Sequence, residues 1–138
     1  MMSKQELKAK EHCVYALHYH LVFVTKYRRR CLDASMLARF GEIAGRLCAQ
    51  WGCELRECNG EPDHVHLLIV TEPKTPLTKL VNNLKTVTSR LLRKEFAGPL
   101  ARFYRKPVLW TPSYAIITCG GAPLEILEQY IQNQAGAD

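Results

Sequence analysis

The chain has 138 residues, 47% of them apolar, and a formal net charge of +6. That length suits one domain around a single core, and no apolar run approaches the roughly 18 residues of a membrane-crossing helix. The positive balance points to a polyanionic partner, nucleic acid being the commonest.

Residues 1–12 open polar and charged, without the apolar stretch of a secretion signal. They are expected to be a tail or short arm before a single domain over 13–138, in a cytoplasmic protein. Val14 to Thr25 is rich in β-branched and aromatic residues and predicts a first strand. Lys26-Tyr27-Arg28-Arg29-Arg30 follows as a basic loop. Asp33 or Ser35 caps a helix to about Gln50, with Met36, Phe40, Ile43 and Leu47 on one stripe. Cys53 to Cys58 predicts a second strand, Asn59-Gly60 a turn, and His64 to Thr71 a third strand. Thr75 as N-cap and Pro76 at the first position open a second helix, whose stripe is Leu77, Leu80, Leu84, Val87 and Leu91. Gly98-Pro99 breaks it. An irregular, basic and aromatic stretch follows, then a strand over Ser113 to Thr118, a joint at Gly120-Gly121, and a last helix from Pro123 to Gln134.

The order β-α-β-β-α-β plus a helix is that of an α+β, ferredoxin-like or RRM-like sandwich. It has a four-stranded antiparallel sheet, two helices on one face, and a C-terminal helix that carries Tyr130.

His64-Val65-His66 is the chief candidate for chemistry. Strand side chains alternate, so both imidazoles face one side, their Cα atoms roughly 6–7 Å apart. Neutral imidazoles at that distance can share a divalent cation, though two half-solvated strand histidines fit as well. Asp63 is expected to point to the other face, and His18 and His20 to be structural, with His20 bordering the site. In the last helix Tyr130 and Gln134 are i and i+4 and share a face; a surface pair is the plainer reading. The cysteines (13, 31, 48, 53, 58 and 119) contain no C-x-x-C pair, and alternation puts Cys53 and Cys58 on opposite faces. They are expected to be small buried residues rather than zinc ligands or disulfides. Cations can meet phosphates and rings can stack on unpaired bases. The candidates are Lys26, Tyr27, Arg28, Arg29 and Arg30, then Arg102, Phe103, Tyr104, Arg105, Lys106 and Trp110. A polar helix face of Asn82, Lys85, Ser89 and Arg93 is a further candidate.

Three stretches together resemble a known family. They are Pro62-Asp63-His64-Val65-His66-Leu67-Leu68, the Thr25–Arg30 segment, and the ending from Thr111-Pro112-Ser113-Tyr114 through Gly120-Gly121 to Glu128–Gln134. The chain resembles, from about Tyr19 to Gln134, the single-tyrosine HUH transposases (His, hydrophobic residue, His) of small insertion sequences, found in bacterial or archaeal cells. The resemblance implies cleavage and rejoining of single-stranded DNA at the ends of an element that forms hairpins. It implies Tyr130 as nucleophile, a 5′-phosphotyrosine intermediate, and Mg²⁺ (or Mn²⁺) held by His64, His66 and Gln134. It further implies homodimers whose sheets join at the first strand, with active sites able to form in trans, the tyrosine helix moving on Gly120-Gly121, and no need for ATP. Two other readings stay open: a non-catalytic RRM-like nucleic-acid-binding module, and a structural zinc protein that would lack a thiolate pair.

Overall fold

The computed structural model describes residues 8–10, 13–15, 17–118 and 124–137, with side chains over 17–118 and 128–134. Its strands are β1 (Lys8–Lys10), β2 (Cys13–Tyr15), β3 (Leu17–Val24), β4 (Glu54–Glu61), β5 (His64–Thr71) and β6 (Ala115–Thr118). Its helices are α1 (Ala34–Gln50), α2 (Leu77–Glu95), α3 (Ala97–Ala101) and α4 (Leu124–Ala137), with a 3-10 turn at Lys26–Arg28. The main sheet runs β4-β5-β3-β6, antiparallel throughout. This is the expected α+β, ferredoxin-like βαββαβ sheet with an added C-terminal helix.

Alternation along the central strands decides the layers. Leu21 and Phe23 of β3, and Val65, Leu67 and Ile69 of β5, join Phe40, Ile43 and Leu47 of α1 and Leu80, Leu84 and Leu92 of α2 in one core. Asp33 starts α1 as expected, its Oδ1 accepting from the Met36 amide at 2.9 Å. On the other face Val22 and Val24 are buried, with Tyr130 and Ile131 of α4 packed against them. Register sets His66 opposite Val22 and His64 opposite Val24, so the imidazoles share that second face.

Several local expectations change. The first strand is divided: Cys13–Tyr15 pairs with Lys8–Lys10 as a separate ribbon, and only Leu17–Val24 joins the main sheet. Thus β1 lies inside the segment expected to be a tail. Asn59-Gly60 is not the turn. Asn59 pairs with His66 and Gly60 with Val65, and the turn is Pro62-Asp63. A Cβ at Gly60 would meet Leu37 Cδ2, the end of a flexible side chain that would have to move aside. Register slips between Leu55 and Glu57, a bulge at Arg56 that turns Cys58 to the core side, where Cys53 also packs. Thr75 does not cap α2. Its hydroxyl accepts from the Glu72 amide, and Pro76 holds the cap position. Gly98-Pro99 sits within α3, and β6 begins at Ala115 rather than Ser113. β3 lies between β5 and β6, so it is not an open edge at which sheets of two subunits could join over Tyr19–Val22. Cys119 and Gly120-Gly121 lie outside the described residues. Among the described residues no helix is long and apolar enough to cross a membrane.

Candidate active site

β5 starts at His64, directly after the Pro62-Asp63 turn, and brings both imidazoles onto the face away from α1 and α2. His66 Nε2 lies 2.8 Å from His20 Nδ1, and the two rings stack at 4.8 Å. His20 therefore belongs to the site rather than to its border. Burial, then the neighbouring His20, hold the His66 imidazole below its ordinary range, so the ring is neutral at pH 7.

Asp63 reverses the expectation made for it. As a turn residue it escapes the strand alternation, and its Oδ1 takes a 2.8 Å bond from His64 Nδ1. Its other oxygen accepts from Arg28 Nε at 2.8 Å. Burial alone would raise this carboxyl, but the bonds from His64 and Arg28 outweigh it and hold the group below the usual carboxylate range. The carboxylate is ionised, so His64 donates from Nδ1, and in the neutral ring the lone pair is then on Nε2.

The basic loop is tightly built. Tyr27 and Arg28 have φ of 58° and 55°, a left-handed backbone that costs a non-glycine residue on the order of 1 kcal/mol or more. Thr25 compensates. Its hydroxyl lies 2.7 Å from the Arg29 carbonyl and 3.1 Å from that of Asp63, while its amide donates to Asp63 at 3.0 Å. Tyr27 is exposed, with Lys26 and Arg29 about 5.3 and 5.7 Å from its ring. A cavity of about 310 Å³ is lined by Lys26, Tyr27, Arg29, Phe103, Arg105 and Lys106, among others. This gathers seven of the fifteen candidate DNA contacts, Tyr104 among them. Arg30 stands exposed nearby in sequence, Arg28 is drawn to Asp63, and Lys85 is elsewhere.

Lys85 corrects its expectation as a DNA contact on the face of α2. Its Nζ donates to the carbonyls of Thr111, Pro112 and Ser113 at 2.7, 2.9 and 2.9 Å. Trp110 is likewise no stacking platform. It is buried against Phe23 and Phe40, and its Nε1 donates to Thr88 at 3.0 Å.

The segment clamped by Lys85 receives the last helix. Gln134 is buried, and its Oε1 accepts from Ser113 Oγ at 3.2 Å and Thr111 Oγ1 at 3.4 Å. Ser113 has one proton, so with that proton on Gln134 it accepts from Tyr130, whose hydroxyl is 2.8 Å away. Tyr130 and Gln134 thus share a helix face, as their spacing requires, and meet a residue that sequence reading passed over. Only the Thr-Pro-Ser-Tyr resemblance hinted at Ser113.

His64, His66 and Tyr130 lie on one face of the sheet, the imidazoles on β5 and the phenol over Val22 and Val24 of the adjacent β3. Among the described residues no three His, Cys, Asp or Glu side chains could hold a metal together. The ligand set that the resemblance implies adds the amide oxygen of Gln134 to the two imidazoles. The donor chemistry fits, because a histidine whose Nδ1–H is bonded to a carboxylate is the usual form of a ligating imidazole. His66 Nε2 and Gln134 Oε1 are hydrogen-bonded to His20 and to the two hydroxyls, and an ion taken up through those atoms would replace these bonds.

Residues 13–134 match the family described as Transposase IS200 like. The chain is 30% identical over 129 residues to the ISDra2 transposase TnpA of Deinococcus radiodurans, covering 94% of this chain and 91% of that protein. It is also 30% identical over 131 residues to the transposase for insertion sequence element IS200 of Salmonella typhimurium, covering 95% and 85%. Among solved structures it is similar to a Deinococcus radiodurans transposase, with TM-score 0.85 and 32% identity over 94% of this chain and 99% of that one. A REP-associated tyrosine transposase bound to a REP hairpin shares the fold at TM-score 0.55 and 10% identity, over 90% and 67% of the chains.

Proposed function

The chain belongs to the IS200-like transposase family, and from that premise we propose that it cuts and rejoins single-stranded DNA through a covalent bond to Tyr130. The observation that carries this reading is the docking of Tyr130 on the sheet face that bears His64 and His66, one strand away. The phenolic oxygen attacks the scissile phosphorus as the bond to the 3′ oxygen breaks. This leaves a 5′-phosphotyrosine and a free 3′-OH. Attack by another 3′-OH reverses the exchange and rejoins the strand, so no ATP is needed.

His64, His66 and Gln134 would hold Mg²⁺, with Mn²⁺ as the alternative. Bound there, the ion would neutralise charge on a phosphate that otherwise repels an anionic nucleophile. Ser113 and Thr111 keep the phenol and the amide together until the strand arrives. The cations and rings around Tyr27 and Phe103 would take the unpaired strand, by neutralising phosphates and stacking on bases. A DNA hairpin at the element's end is the proposed partner, and the fold shared with the hairpin-bound neighbour is compatible with it. A homodimer whose sites combine His64 and His66 of one subunit with Tyr130 of the other belongs to the same proposal.

The test uses single-stranded oligonucleotides from the DNA flanking the protein's own gene, with Mg²⁺. The wild-type protein should give a DNA adduct that survives denaturation. Tyr130→Phe should lose the adduct entirely and keep its affinity for the strand. An adduct of undiminished yield in Tyr130→Phe overturns the assignment of the nucleophile. Tight binding with no adduct in the wild type favours the RRM-like binding module.

A further inference from the structure

We propose that Arg28 is a positioning residue for His64 and acts through Asp63. The inference rests on the reading of His64 as a metal ligand. Two bonds of 2.8 Å make the connection, Arg28 Nε to Asp63 Oδ2 and His64 Nδ1 to Asp63 Oδ1. Both run toward the carboxylate, because an ionised carboxylate only accepts. The Asp63 side chain is 6% exposed and that of Arg28 34%. The carboxylate therefore sits nearly out of water between two donors that use both its oxygens. Its rotation is blocked, and with it the rotation of the imidazole. His64 is held as the tautomer whose lone pair lies on Nε2, across the ring from Asp63.

The backbone of the loop serves the same end. Arg28 lies in a left-handed pair with Tyr27, an arrangement the chain adopts only when its surroundings enforce it. Thr25 enforces it with its hydroxyl, whose proton goes to the nearer carbonyl of Arg29, and grips Asp63 as well, its amide donating to the Asp63 carbonyl. The loop that carries the candidate DNA-binding cations is thus tied to the carboxylate that orients a candidate ligand. A guanidinium needed only for phosphate would require neither the strained backbone nor the inward bond.

The test has two readouts on the full chain without DNA. One is the ¹⁵N spectrum of histidine-labelled protein, with the His64 signals identified by their loss in His64→Ala. The other is the affinity for Mn²⁺ by titration calorimetry. The wild type should show His64 protonated at Nδ1 and bare at Nε2. Asp63→Ala should redistribute that proton and weaken Mn²⁺ binding by roughly 10–100-fold. Arg28→Gln should move both readouts the same way by less, and Arg28→Lys, which keeps a donor, should recover part of the loss. Circular dichroism verifies that each variant is folded. If the wild type takes up no Mn²⁺, the functional reading fails, while the nitrogen signals still decide the present proposal. An Arg28→Gln protein that keeps the wild-type His64 tautomer overturns it. A fall in DNA affinity alone would then mark Arg28 as a phosphate contact.

Discussion

The two faces of the sheet carry reactive side chains of opposite character. The face under α1 and α2 holds thiols, and the other holds imidazoles and a phenol. Cys48 is buried and Cys58 half-buried against the core; burial, with neighbouring thiols adding to it at Cys48, pushes their pKa values up to about 12 and about 11. Those sulfurs behave as small apolar groups. On the other face His64 and His66 are half-buried, each with a ring nitrogen paired to a named partner. Burial silences these thiols by denying them charge. At His66, burial with His20 beside it favours the neutral imidazole, the form that can ligate an ion.

The comparison can be tested at three strengths. The largest effect is in the thiols. Cys48 in the native protein should react with iodoacetamide on the order of a thousandfold more slowly than in urea, following the rise from 9.0 to about 12. Comparable rates measured by mass spectrometry would mean the packed face is open to solvent. Next, Phe23→Ala on the packed face should lower stability by about 3–5 kcal/mol. His66→Ala on the other face should cost about 1 kcal/mol, chiefly for its bond to His20. Equal shifts in urea midpoint would erase the distinction between the faces. The smallest contrast is between two aromatic rings. Phe103→Ala, at an exposed ring, should weaken single-strand binding by about 1–3 kcal/mol in fluorescence anisotropy. Trp110→Phe should leave that affinity unchanged while costing about 1 kcal/mol of stability for its bond to Thr88. A reversed order would place the stacking platform at Trp110.

Legibility followed the range of the interactions. His64-Val65-His66 revealed its face because alternation is a local property of a strand. Tyr130 and Gln134 revealed theirs because i and i+4 meet on a helix. Asp63 misled because the same alternation was carried one residue past the strand, into a turn. Asn59-Gly60 misled because a turn dipeptide was read without the pairing with β5 that carries β4 on to Glu61. Lys85 and Trp110 look like DNA contacts until their partners at 111–113 and at Thr88 are in place. Those partners are more than twenty residues away in sequence, beyond the reach of any periodicity. His20 was half legible. Its strand was plain, but its register against His66 depends on the pairing of β3 with β5.

Lys85 bears on any polynucleotide the protein meets. Its ammonium keeps its charge but gives its protons to three carbonyls, while Arg28 is paired with Asp63 and Arg39 with Glu95. Cations so committed are less free to displace condensed sodium or potassium from a phosphate chain. The dependence of affinity on ionic strength should therefore be shallower than the tally of nineteen lysines and arginines suggests, and be set by the cations around Tyr27.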